Sequence, residues 1–85
     1  MLFHRTARFK KDFKHLDSMA QDQAGKALET FAANSRHASL HVKKMEGTPG
    51  IWEMRVSDNY RITFELVHGG VLLRRIGTHN VLRHP

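Results

Sequence analysis

From His41 to His79 the chain alternates between short apolar runs and turn-forming residues, four runs in all. The two middle runs, Ile51 to Val56 and Tyr60 to Val67, are joined by Ser57, Asp58 and Asn59, whose short polar side chains favour a turn. Apolar residues recur in them at every second position: Trp52, Met54 and Val56 in one, Tyr60, Ile62 and Phe64 in the other. Period two is the signature of a strand with one buried face. A three-residue loop then sets Val56 opposite Tyr60, Met54 opposite Ile62 and Trp52 opposite Phe64. A slip by one residue would turn one apolar set to the wrong face, so the pattern itself specifies the register.

The outer runs extend the same sheet. Leu40 to Met45 reads as a strand turned back by Gly47, Thr48, Pro49 and Gly50. Matching Leu40 and Val42 to the Trp52 face sets His41 opposite Arg55 and Lys43 opposite Glu53. After a turn at His68, Gly69 and Gly70, Val71 to Ile76 forms the last strand. Two registers stay open there, Phe64 opposite Arg74 or Glu65 opposite Arg74, and either brings Gly77 or Thr78 beside Arg61.

The first half of the chain has helical spacing instead. Leu2 to Arg5 is long enough for a short first strand, and Thr6 can cap a helix in which Phe9, Phe13 and Leu16 form an apolar stripe among Arg8, Lys10, Lys11 and Lys14. Ser18 to Gln21 reads as a capping box for a second helix, with Ala20, Ala24, Ala27, Leu28 and Phe31 on one face and an end near Asn34. The two helices form a hairpin whose apolar side must be covered, and the apolar face of the sheet is the available cover. The expected fold is α+β: an N-terminal strand and helix hairpin on one face of an antiparallel four-stranded meander. Residues 1–85 form a single domain, and the other sheet face is left open and basic.

That open face carries the chemistry. The register that buries Met54 and Ile62 also sets Arg55 directly opposite Arg61. Facing like charges destabilise a strand pair by roughly a few tenths to 1 kcal/mol. Two readings account for the pair. An anion such as a phosphate would make it a bidentate clamp, or Glu53 and Glu65 on the same face neutralise it. His79 falls just past the last strand, close to Arg61, and is either a surface residue or a proton-transfer group. Breaking a phosphodiester without a metal takes a base for the 2′-hydroxyl, cations for the phosphate and an acid for the departing 5′-oxygen. Arginine and histidine suit those tasks, but spacing alone does not assign acid and base.

Charge and composition narrow the partners. The 85 residues hold 14 Lys+Arg against 8 Asp+Glu, a net charge of +6, which favours a polyanion or an acidic protein. Cysteine is absent, so disulfides and thiolate metal sites are excluded. His4, His15, His37, His68 and His84 have no partners at metal-ligand spacing, and neither a metal nor another cofactor is expected. Trp52, Tyr60 and Phe64 have the surfaces to stack on bases, but their period-two placement assigns them to the core. The chain has no membrane-spanning run and no signal-peptide pattern, which points to a soluble, cytoplasmic protein.

Taken together, the helix hairpin, HASLHVKKMEG, IWEMRVSDNYRITFEL and LLRRIGTHNVL resemble the RelE/ParE superfamily of bacterial type II toxin–antitoxin toxins across nearly the whole chain. The most specific part is Lys-Lys-x-x-Gly, followed by Trp-x-x-Arg-Val-x-x-x-Tyr-Arg-Ile and the closing Gly-Thr-His. That ending is most similar to the RelE/YafQ-like branch. The resemblance implies a RelE-like, microbial-RNase-like fold and an mRNA interferase, which is a metal-independent endoribonuclease cutting mRNA in the 30S A site by 2′-hydroxyl attack. It also implies an acidic antitoxin as partner. By position, Arg55, Arg61 and His79 match the family's catalytic set, and Lys43 and Lys44 match its RNA-holding basic segment. His41, Arg75 and Arg83 complete the expected RNA contacts. The sequence departs from the family in one place: no aromatic follows His79, where active members carry a Tyr or Phe. Two other readings fit the same fold, a ParE-like gyrase poison and an inactive homologue that only binds its antitoxin.

Overall fold

The computed structural model describes residues 1–85. Strand β1 (Leu2–Arg5) leads into helix α1 (Ala7–Lys14), and α2 (Ser18–Ala33) follows. The sheet continues with β2 (Lys43–Lys44), β3 (Ile51–Arg55), β4 (Arg61–Val67) and β5 (Gly70–Gly77). Its order is β1-β5-β4-β3-β2. The antiparallel meander β2 to β5 is as expected, but the sheet has five strands, because β1 joins it parallel to β5 with Leu2 opposite Gly70 and Arg5 opposite Leu73.

Thr6 makes that junction. Its N–H donates to Leu73 O at 3.0 Å and its hydroxyl to Arg74 O at 2.8 Å. The same hydroxyl oxygen accepts from the Phe9 N–H at 3.0 Å, capping α1 as the sequence suggests. The second helix starts one residue earlier than the Ser18 box implies. Its cap is Asp17, which accepts from the Ala20 N–H at 2.8 Å. A carboxylate there caps as well as serine and also gains from the helix dipole. Gln21 is thereby released from the box, and its side chain donates to Phe13 O at 3.0 Å, tying the two helices together.

Between β3 and β4 the register is the one the pattern required: Trp52 opposite Phe64, Met54 opposite Ile62, Arg55 opposite Arg61. Met54, Ile62 and Phe64 are buried under Phe9, Ala24, Ala27 and Phe31. Phe31 meets Phe64 edge-on with centroids 5.2 Å apart. Strand β2 is shorter than expected. Leu40 leaves the strand for a 3-10 turn (Ala38–Leu40) and enters the core, and His41 follows with φ +46°, which no strand accommodates.

Neither expected register holds at the start of β5. Phe64 lies opposite Leu73 and Thr63 opposite Arg75, so Arg74 is the extra residue of a bulge, beyond which Arg61 faces Gly77. The bulge breaks the alternation, so the buried set is Val71, Leu73 and Ile76.

The second face is not fully open. A tail from Thr78 to Pro85, with a 3-10 turn at His79–Leu82, folds back across β4 and β5. Val81 is buried against Gly77, where an added Cβ would lie 2.7 Å from Val81 Cγ1. Thr63 is fully buried on this side, and its hydroxyl has no partner. Arg74 Nε donates to Pro85 O at 3.1 Å and Arg75 Nη1 to His84 O at 3.4 Å.

Asp12 on α1 ties the helix layer to β5. It accepts from Arg75 Nε at 3.0 Å, Arg75 Nη2 at 3.1 Å and the Ile76 N–H at 3.2 Å. Replacing Asp12 by Ala would take the counter-charge from a partly buried guanidinium and leave a strand N–H unpaired. The expected loss is about 2–4 kcal/mol, read as a lower urea midpoint with the slope unchanged.

Candidate functional site

Arg55, Arg61 and Gly77 lie side by side on β3, β4 and β5 at one end of the sheet. Neighbouring strands are about 4.8 Å apart, so the row is about 10 Å wide. His79 follows Gly77 by two residues, with its Cα no more than about 7.6 Å from that of Gly77. It sits exposed at the start of the 3-10 turn and makes no hydrogen bond or ion pair. On the other flank, His41 Nε2 is 3.5 Å from Arg55 Nη1. His41 thus lies beside Arg55, and His79 follows the strand whose Gly77 flanks Arg61.

The Ser57–Tyr60 turn holds both arginines, by different means. Arg61 Nη1 donates to Ser57 O at 2.6 Å and to Tyr60 O at 3.0 Å. These acceptors are neutral, so the group is aimed without losing its charge. Arg55 donates to the Asp58 carboxylate in an ion pair. Asp58 is 86% exposed, and such surface pairs contribute only about 0–1 kcal/mol. A phosphate can therefore compete with Asp58 for Arg55. Glu53 and Glu65 do not do the neutralising: Glu65 pairs with Arg74, and Glu53 faces Thr63 and Lys43 with no ion pair to either arginine.

The remaining basic candidates separate. Lys43 is opposite Glu53 and so shares the Arg55 face, whereas Lys44 is opposite Trp52 and belongs to the helix side. Arg75 is engaged by Asp12 and is no free anion ligand. Arg83 is exposed on the tail with no side-chain partner. Asp58 is the residue that sequence reasoning passed over. Its residue type marks it only as a turn former, yet an acid three residues after Arg55 in a tight turn can reach back to it. No group of three or more His, Asp or Glu side chains could hold a metal ion, and no helix is long and apolar enough to cross a membrane.

Replacing Asp58 by Asn should free Arg55. The expected result is tighter binding of inorganic polyphosphate with a steeper salt dependence and a stability change below about 1 kcal/mol. Titrations at several salt concentrations, alongside urea denaturation, check both.

No protein-family model and no curated protein matches the sequence. Solved structures do match. A chain of the RelB–RelE antitoxin–toxin complex from Methanococcus jannaschii aligns with a TM-score of 0.75 and 23% identity, over 95% of each chain. The YoeB dimer from Staphylococcus aureus gives 0.78 and 12%, over 93% of this chain and 97% of that one. YafQ from E. coli gives 0.74 and 17%, over 95% and 96%. The likeness is one of fold: over nearly its whole length, this chain is built as the RelE, YoeB and YafQ toxins are.

Proposed function

We propose that this protein is the toxin of a type II toxin–antitoxin pair, a metal-independent endoribonuclease that cleaves mRNA on the ribosome and so stops translation in the cytoplasm. The observation that carries the reading is the row Arg55–Arg61–Gly77 with His79 two residues beyond. In this reading Arg61, charged and fixed by backbone carbonyls, binds the scissile phosphate and stabilises the extra negative charge that builds on it. Arg55 joins it once the phosphate displaces Asp58. The 2′-hydroxyl attacks phosphorus and gives up its proton. The P–O5′ bond breaks, and the 5′-oxygen takes a proton as it leaves. The products are a 2′,3′-cyclic phosphate and a 5′-hydroxyl, with no water consumed and no metal required. His79 serves one proton transfer, a task to which imidazole chemistry is suited. Lys43 extends the cationic surface along the RNA backbone from the β2 side, and His41 adds a polar contact beside Arg55.

The toxin reading also implies a partner. Solved structures of this fold include RelB–RelE antitoxin–toxin complexes and the DinJ–YafQ complex of E. coli. A chain of net charge +6 suits an acidic antitoxin that orders on contact.

Mapping mRNA ends in a translating extract tests the activity. Wild-type protein should produce new 5′-hydroxyl ends, and Arg61→Ala or His79→Ala should each reduce cleavage by roughly a hundredfold or more. Intact mRNA with folded wild-type protein, or cleavage unchanged in both variants, would remove the reading. DNA breaks without translation arrest would point to a gyrase poison instead.

A further inference from the structure

Strand β2 stops early, and that leaves a gap at the edge of β3. Lys43 pairs with Glu53 and Lys44 with Trp52, and past Glu53 the β3 edge has no strand beside it. The 3-10 turn Ala38–Leu40 stands there instead. Between that turn, the end of β3 and helix α2 lies a pocket of about 210 Å³. Arg55 forms part of its wall, so the pocket joins the arginine row to the helix layer.

Its lining has two kinds of surface. Ala27, Leu40 and Val56 are apolar, and the first two belong to the core. Gln23, Lys26 and Thr30 are polar and fall at i, i+3 and i+7 along α2, so they share one face of the helix. Ser39 adds a hydroxyl from the 3-10 turn, and no acidic residue takes part. Lys26 has no ion-pair partner. Gln21 spends its amide on Phe13 O, whereas Gln23 has both its donors and its acceptor to offer.

This mixture selects among ligands. A bare phosphate would use the cations and leave the apolar floor without a partner. An aliphatic group would cover the Gln23 amide and the Thr30 hydroxyl without pairing them, which costs free energy. A nucleotide meets all three surfaces. Its ring face lies on Ala27, Leu40 and Val56, its edge pairs with Gln23 and Thr30, and its backbone charge is drawn to Lys26 and Arg55. A side-chain amide reads a base edge through a donor and an acceptor at once, and single-stranded RNA is recognised through bases turned out of the stack. The volume is below the roughly 300–1,000 Å³ of sites for larger ligands and fits one base.

We infer that this pocket is the base-reading subsite of the proposed nuclease: it takes the nucleobase next to the phosphate held by Arg55 and Arg61, and Gln23, Thr30 and Ser39 set which base is accepted. The inference rests on the nuclease reading for its substrate, a single strand of RNA. The arginine row contacts only the backbone, which is the same for every nucleotide. Choice of the cleavage point therefore falls to groups beside the row, and these are within the same wall as Arg55.

The test titrates isotope-labelled protein with the four nucleoside 3′-monophosphates and with inorganic phosphate, following the methyl signals of Ala27 and Thr30 and the side-chain amide of Gln23. The nucleotides should shift these signals saturably, with affinities spread by roughly threefold or more among the bases and inorganic phosphate weaker by roughly tenfold. Gln23→Ala should bring the spread within about twofold, whereas Lys26→Ala should weaken all four nucleotides alike by about threefold. Both substitutions place a good helix former on the outer side of α2, so the fold is kept. In the translating extract, Gln23→Ala should broaden the set of bases found at the new 5′-hydroxyl ends. The inference is overturned if the signals stay still, if inorganic phosphate binds as tightly as the nucleotides, or if the base preference survives Gln23→Ala. The titration involves no cleavage, so base reading can fail while cleavage through Arg61 and His79 stands. Intact mRNA beside a saturable, base-dependent titration would remove the nuclease and keep the nucleotide site.

Discussion

The contact of Met54 with Ile62 decides more of this molecule than any other. Both are fully buried, and they face one another across β3 and β4. Side chains alternate along a strand, so burying that pair leaves the next residues no choice of side. Arg55 and Arg61 are driven together on the opposite face by a contact in which neither takes part. The hydrophobic gain from several core side chains, about 1.5–3 kcal/mol each, far exceeds the penalty of facing charges. The electrostatics of the row are thus set by the packing beneath it.

The structure then manages that imposed charge locally. One turn supplies Arg61 with carbonyls and Arg55 with a carboxylate. The other arginines are dealt with elsewhere, Arg74 by Glu65 and Pro85 and Arg75 by Asp12 and His84. Of the guanidinium groups on the sheet face, Arg61 alone is held entirely by neutral acceptors. Selective neutralisation of its neighbours concentrates positive potential at one strand end, beside an unengaged imidazole.

Much of this was legible in the residues. The period-two runs set the β3–β4 register to the residue, and the helical stripes named Phe9, Ala20, Ala24, Ala27 and Phe31 as buried. What escaped depended on long-range or local competition. The parallel pairing of β1 with β5 joins residues about seventy positions apart, which no local pattern encodes. The bulge at Arg74 left a trace, because the apolar spacing lengthens from Leu73 to Ile76 and breaks period two, but a strict alternation cannot represent an inserted residue. The hydrophobicity of Leu40 suggests a place in β2, yet that same property draws it into the core through a 3-10 turn. The second face is less open than the pattern suggests for a related reason: Val81 follows Gly77 too closely to read as an element of its own, yet it finds cover on the sheet because that glycine has no side chain.

The shortness of β2 has a bearing on how this protein behaves when concentrated. It is an outer strand of the sheet, and its two residues are both lysines. An outer strand offers unpaired amide and carbonyl groups on which a second molecule could begin to polymerise, and brevity with ammonium groups is a common way of discouraging that. High solubility at low salt, and self-association as salt screens the lysines, would follow from that edge alone.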